Sequence, residues 1–310
     1  MGRRTLGWRD CVAVVTGGSR GIGRAIAEHA VARGARVGLV ARHRAALDAT
    51  LEALGGSRVG AVAAADVSDR YQLEQALADL SGELGPVDIL VNNAGLGAAG
   101  PTAVVPVEAF EQVMAINYLG TVYGTKAVLP GMLARRRGHI VNMASVAGRF
   151  AAPGEAAYSA TKFAVVGFTQ ALALELHGSG VGVSLIDPGP VDTGAADTGG
   201  ADYQRGWPRP VPAARVATAV CEAVERGRFE VFVPPWYRAV GVVQAGLSGG
   251  LRLLPPRVFG ITPSETDVAE AVAGAAARRG RAGPVPAEPV PDESVPDENV
   301  RYGGGDMDNL

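Results

Sequence analysis

At 310 residues, with 47 % hydrophobic residues and a formal net charge of −2, the chain is long enough to enclose a real core and offers no electrostatic ground for a nucleic-acid partner. No basic stripe with interleaved aromatics occurs. The two cysteines, Cys11 and Cys221, belong to no Cys-x-x-Cys or Cys/His array, which excludes a zinc-type metal site and a disulfide framework.

Residues 1–10 read as an N-terminal arm. Its Arg3-Arg4 is followed by no apolar run of signal-peptide length, so a cytoplasmic protein is expected. Short apolar runs then alternate with amphipathic segments, predicting strands near residues 11–16, 36–41, 59–65, 87–92, 138–144, 181–186 and 229–233, with helices between them. That alternation predicts an α/β protein: a Rossmann-type, doubly wound, parallel seven-stranded sheet in a three-layer α/β/α single domain over residues 11–233. In such a sheet ligands bind beyond the carboxyl ends of the strands.

The first strand leads into Thr16-Gly17-Gly18-Ser19-Arg20-Gly21-Ile22-Gly23, which opens an amphipathic segment from Ile22 to Arg33. Glycines let a strand-to-helix turn tighten and approach a pyrophosphate, whose charge suits the unpaired amides of a helix N-terminus. The spacing is Gly-x-x-x-Gly-x-Gly rather than Gly-x-Gly-x-x-Gly. The second strand ends in Ala41-Arg42-His43, with no carboxylate to take ribose hydroxyls. Arg42, with Arg20 from the turn, instead suits a guanidinium clamp on a 2′-phosphate, which favours NADP(H) over NAD(H); the competing account makes Arg42 and Arg44 ordinary solvated residues at a helix start. Arg135-Arg136-Arg137, just before Gly138, reads as a solvated helix end.

Tyr158 and Lys162 stand four residues apart in a helical pattern, on one face. A cation beside a phenol favours the phenolate, so a tyrosine with an ordinary pKa near ~10 becomes a usable acid or base around neutrality.

Four further marks occur in order. Asp66 closes an apolar strand, Asn92-Asn93-Ala94-Gly95 follows Val87 to Val91, Asn117 lies inside a helix, and Ser145 follows Ile140 to Met143. With the glycine turn, Tyr158-x-x-x-Lys162 and Pro188-Gly189, this set resembles the short-chain dehydrogenase/reductase family over about Asp10 to Val233.

The resemblance implies a catalytic set of Asn117, Ser145, Tyr158 and Lys162. Tyr158 would exchange a proton with the substrate oxygen, Lys162 would hold the phenolate and the nicotinamide ribose, Ser145 would position the oxygen, and Asn117 would fix a water in a proton relay. It implies cofactor contacts from Gly17, Ser19, Arg20, Gly21, Ile22 and Gly23, from Arg42, from Asp66 and Val67 at the adenine, and from Asn93, Ala94 and Gly95 beside the adenosine ribose. Tyr158 and Lys162, then Pro188, Gly189, Val191 and Thr193, would lie around the nicotinamide. A helix N-cap role for Asp66 or Ser68 is the plain alternative at that point. Homodimers or homotetramers paired through the helices carrying Asn117 and Tyr158 are a further implication.

Residues 194–210, rich in Gly, Ala and Asp, suit a lid loop ordering over ligand. Residues 234–262 form an apolar extension, opened by Pro234-Pro235-Trp236-Tyr237-Arg238. Its longest uncharged stretch, Ala239 to Leu251, falls short of the ~20 residues that span a bilayer. The favoured reading is a helical flap over the active site or a neighbouring subunit; peripheral membrane contact through residues 236–261 is the other, and both lean toward an apolar substrate. Residues 263–310 are low-complexity, with Val-Pro-Asp-Glu at Val290 to Glu293 and again at Val295 to Glu298, and are expected to be mostly disordered.

Taken together, the sequence points to an NADP(H)-dependent oxidoreductase interconverting a small apolar ketone or aldehyde and its alcohol. A 3-oxoacyl thioester reductase and a non-catalytic NADP(H)-binding sensor remain the alternatives.

Overall fold

The computed structural model describes residues 6–193 and 209–239. Most of the lid loop, nearly all of the apolar extension and the whole tail therefore lie outside the described residues. Seven parallel strands make one sheet: β1 (Val12–Thr16), β2 (Arg36–Ala41), β3 (Gly60–Ala64), β4 (Ile89–Asn92), β5 (Gly138–Met143), β6 (Val181–Pro188) and β9 (Glu230–Val233). Their order is β3-β2-β1-β4-β5-β6-β9, so the direction of winding reverses between β1 and β4. A two-residue parallel ladder, β7 (Val191–Asp192) with β8 (Val211–Pro212), was not expected; it anchors the two ends of the 194–210 loop to each other.

Helices α1 (Gly21–Val31), α2 (Arg44–Leu54), α3 (Arg70–Leu84), α4 (Val107–Met114), α5 (Gly120–Ala134), α6 (Ala156–Glu175) and α7 (Ala213–Arg226) cover both faces. Strand periodicity splits the core accordingly. From β1, Ala13 and Val15 join the cluster under α1 and α7, while Val12 and Val14 join the one under α3 and α5. All five residues of β1 are buried, as a central strand covered on both faces requires.

The described part of the N-terminal arm, residues 6–10, is tied to the core. Trp8 is 2 % exposed and donates its indole N–H to Cys221 O of α7 at 3.2 Å, sealing the edge of the α1/α7 core. The Arg135–Arg137 run is exposed as expected, yet each residue ties the end of α5 to a neighbour. Arg135 donates to Val87 O, Arg136 to Gly178 O, and Arg137 to Asp88 at 3.0 Å. The cap of α3 is neither Asp66 nor Ser68 but Asp69, which accepts from Tyr71 N and Gln72 N; Asp66 instead accepts from Ser68 N and Oγ in the turn before it. Among the described residues no helix is long and apolar enough to cross a membrane.

Candidate active site

The glycine turn sits at the winding reversal, on the carboxyl end of β1. Gly17 takes φ +67°, a left-handed conformation that favours glycine, and a Cβ on Gly23 would lie 2.2 Å from Gly17 O, so helix α1 starts hard against the turn. Helix α1 has neither a side-chain cap nor an acidic residue in its first turn, which leaves its leading amides to a ligand or to water. Thr16 fastens this turn to the next strand end: its Oγ1 accepts from Asn93 N at 3.0 Å and Ala94 N at 3.1 Å, and Asn93 Nδ2 returns a bond to Thr16 O at 2.9 Å. A Cβ on Gly21 would meet Thr193 Cβ at 3.2 Å, so the loop after β6 reaches the same place. Gly17, Gly21, Gly23, Asn93, Ala94 and Thr193 are thereby brought together from three strand ends.

The end of β2 closes beside them. Gly18 N donates to Val40 O at 3.2 Å, and Thr50 of α2 donates to Ser19 O at 2.9 Å. Arg24 and Arg44 are committed to i,i+4 pairs with Glu28 and Asp48, whereas among the described residues the exposed Arg20 and Arg42 pair with no carboxylate. Among the described residues, then, the end of β2 carries no acid, and Arg20 and Arg42 are cations uncommitted to an ion pair. Asp66 and Val67 follow β3; Val67 is buried against Gly120, and Asp66 is only half-buried. Ile22 is half-buried in the first turn of α1, and Val191 lies in β7.

Asn117 lies in a wide π-type turn, Ala115–Leu119, between α4 and α5. Such insertions in a helix bend its bonding pattern and redirect a side chain. The side chain is a brace here: Oδ1 accepts from Leu96 N at 2.8 Å, while Nδ2 donates to Leu96 O at 2.9 Å and Thr161 Oγ1 at 3.0 Å. Both amide hydrogens are thus spent on the loop after β4 and on α6. Asn117 holds the frame around Lys162: a Cβ on Gly95 would sit 3.4 Å from Asn117 Oδ1 and 3.7 Å from Lys162 Nζ.

Lys162 is 5 % exposed, donates to Met143 O at 2.9 Å, and places its Nζ 5.6 Å from the ring centroid of Tyr158. Burial pushes its ammonium down to about 8, and the carboxylate of Asp187 works against that fall. Tyr158 is half-buried one helical turn away. Ser145 is buried at the end of β5, where its Oγ donates to Pro188 O at 3.3 Å and accepts from Ala147 N at 3.1 Å. Strand ends β5 and β6 and the first turns of α6 therefore gather Ser145, Tyr158, Lys162 and Pro188.

Two features were not visible in the sequence. The ring of Tyr237 packs on the turn after β6, since a Cβ on Gly189 would lie 2.3 Å from Tyr237 Cε2, and Trp236 stacks on Tyr237 with centroids 3.9 Å apart. Arg149 bridges Asp187 of β6 at 3.2 Å and Glu230 of β9. The aromatic pair had only its composition to announce it; the acidic residues carry no motif.

An open parallel sheet with a glycine turn at its winding reversal defines a dinucleotide-binding α/β protein. The family model for short chain dehydrogenases matches residues 11–204, and the chain belongs to that family of oxidoreductases. It is 41 % identical over 177 residues to 2-dehydro-3-deoxy-L-rhamnonate dehydrogenase (NAD(+)) of Sphingomonas sp. strain SKA58, covering 57 % of this chain and 70 % of that one. It is 43 % identical over 179 residues to glycine betaine reductase of Emericella nidulans, covering 57 % of this chain but spanning only 14 % of that protein's length. A crystal structure of an actinorhodin polyketide ketoreductase variant with NADPH superposes with a TM-score of 0.68 at 34 % identity, over 73 % of this chain and 97 % of that one.

Proposed function

We propose that this protein is an NADP(H)-dependent oxidoreductase that interconverts an apolar ketone or aldehyde and its alcohol, with Tyr158 as the acid/base. The observation that carries this is the desolvated Lys162 ammonium one turn from the Tyr158 phenol, 5.6 Å from its ring centroid. A cation in a dry site favours phenolate more than one in water does, because little solvent screens it.

A nicotinamide cofactor held in this site would supply hydride-transfer chemistry, giving the hydride to the substrate's carbon or taking it. In reduction the Tyr158 hydroxyl gives its proton to the carbonyl oxygen, and in oxidation the phenolate takes the alcohol's proton. Ser145 donates to the same oxygen, exchanging its bond to Pro188 O for one to the substrate. Lys162 would hold the phenolate and, with a cofactor bound, the nicotinamide ribose. Asn117 keeps the Leu96 loop and Thr161 in register around it, a bracing role that joins the water-holding role implied by the resemblance.

The phosphorylated cofactor is favoured by the uncommitted Arg20 and Arg42 and by the missing acid after β2, and Asp66 and Val67 would receive its adenine. The neighbour bound with NADPH and the NAD(+)-named relative mark the two outcomes that binding has to decide. An apolar substrate is favoured by Trp236 and Tyr237 beside Gly189. We further place the protein in the cytoplasm as a homodimer or homotetramer formed through α5 and α6.

The test is a panel of ketones, aldehydes, secondary alcohols and a 3-oxoacyl thioester, each assayed with NADPH or NADH, or with the oxidised form, by the absorbance of reduced nicotinamide. Turnover of apolar ketones or alcohols with the phosphorylated cofactor is expected. Far faster turnover of the thioester would replace the substrate reading. Binding of NADPH without turnover of any substrate would leave only the sensor.

A further inference from the structure

We propose that Asp187 is a positioning residue of the proton-transfer site: held by Arg149 and facing α6 from the end of β6, its carboxylate is the counter-charge that keeps Lys162 an ammonium. This rests on the reading of Lys162 as the cation beside Tyr158.

The placement follows from strand periodicity. Leu185 of β6 packs with Val165 and Val166 of α6, whereas Ile186 points to the α1/α7 core. Asp187, two residues beyond Leu185, returns to the α6 face. Helix α6 runs antiparallel to the strand, so moving up β6 from Leu185 to Asp187 moves back along α6 from Val165 and Val166 by one turn, to Lys162. The neighbouring strand closes the arrangement. Met143, the residue whose carbonyl accepts from Lys162, is paired in register with Ile186.

Asp187 is fully buried and has an unusual set of partners. Oδ2 takes Arg149 at 3.2 Å, while Oδ1 has no hydrogen-bond partner. Lys162 has three N–H donors, one of which goes to Met143 O. Among the described residues the charged groups around the carboxylate are Arg149 after β5, Glu230 on β9 sharing that guanidinium, and Lys162 on α6. With all four ionised the cluster is neutral, which is the condition under which buried charges persist. The motif for a Tyr/Lys pair contains no such acid, and Ser145, Pro188 and Lys162 have other direct partners. The role left for Asp187 is electrostatic.

Lys162 can be watched directly because the chain has only two lysines, Lys126 and Lys162. Protein grown with 13C,15N-labelled lysine gives two side-chain signals, and Lys126→Arg assigns them. The exposed Lys126 serves as the internal reference. In the wild type the Lys162 signal is expected to titrate well below 10.5, the ordinary value for a lysine. In Asp187→Asn its midpoint should fall by about one pH unit or more, the shift expected when an opposite charge nearby is removed. Glu230→Gln should leave it in place or raise it. Asp187→Ser is the second variant if Asp187→Asn fails to fold by thermal melting. A midpoint unchanged in the aspartate variants, one that falls equally in Glu230→Gln, or a wild-type Lys162 that titrates near the ordinary lysine value of 10.5 overturns the proposal. The titration needs no turnover, so its failure is separate from failure of the acid/base reading, which Tyr158→Phe tests.

Discussion

The ring of Tyr237 occupies the space that a side chain at Gly189 would need, its Cε2 lying 2.3 Å from where a Cβ would stand. Gly189 also donates its N–H to Val233 O at 2.8 Å, so the turn after β6 is held between the last strand and the ring beyond it. Residues 188–193 reach Ser145 at one end and Gly21 at the other. What fixes this turn therefore fixes the side of the site proposed to face the nicotinamide.

Gly189→Ala should consequently be destabilising by about 1–3 kcal/mol, the usual cost of forcing atoms into a packed region. Thermal melting should register the loss, and the KM for cofactor should rise with it. Adding Tyr237→Leu should restore part of the melting temperature, since a shorter side chain opens the space. An alanine variant as stable as wild type would mean the ring yields freely.

Thr16 is 2 % exposed, and its hydroxyl serves two backbone N–H groups and one carbonyl. Thr16→Val keeps the shape but leaves the Asn93 and Ala94 amides without their acceptor. Each unmet buried donor costs about 1–3 kcal/mol. Lower stability together with weaker NADPH binding by fluorescence titration is expected, because two of the bonds that join the glycine turn to the Asn93 turn end on this oxygen, leaving only those from Asn93 Nδ2. If stability falls while affinity does not, the link between the turns is not used in binding.

The sheet was legible because β-strands buried on both faces are short apolar runs, and their spacing by helical periods leaves one winding pattern. All seven strands fall within two residues of where the sequence placed their ends. The glycine turn and the Tyr158/Lys162 pair were legible for a different reason: each lies within a few residues of itself in sequence. The links that organise the site are long-range and had no such signature. Arg149 reaches across 38 residues to Asp187 and 81 to Glu230, and Trp8 across 213 to Cys221. Nor could composition distinguish Asp69 from Asp66 and Ser68 as the cap of α3, since all three are good capping residues and only backbone geometry selects one. The π-type turn that presents Asn117 leaves no periodic trace because it adds one residue to an otherwise helical run.

Tyr158→Phe removes the proton donor without removing the ring. On any substrate the panel identifies, kcat should fall by about 10²–10⁴, the usual contribution of a positioned acid/base, with little change in NADPH dissociation constant. A phenylalanine variant retaining wild-type kcat would end the acid/base reading.

Arg42→Ala should weaken NADPH binding by about 10-fold or more and leave NADH nearly unchanged, as a charge-assisted bond to a 2′-phosphate contributes about 1.5–3 kcal/mol. Arg20→Ala should act in the same direction. Equal losses for both cofactors would place these arginines on the shared pyrophosphate instead, and no loss would return them to ordinary surface residues.

The buried acid also predicts how stability responds to pH. Burial raises Asp187 from 3.8 to about 7, partly offset by Arg149, so between those values the folded chain holds a proton that the unfolded chain has released. Stability from this group is therefore present below the unfolded value and lost as pH climbs through the folded one. Lys162, lowered from 10.5 to about 8, acts at the other end: between about 8 and 10.5 the unfolded chain binds the extra proton, and this group's contribution rises with pH. Melting temperatures of the cofactor-free protein should show a component that declines from about pH 4 to 7, and Asp187→Asn should abolish that decline while other titrations persist. If the wild type and the asparagine variant give parallel curves across that range, Asp187 is ionised in the folded state at every pH tested, and its partners offset its burial completely.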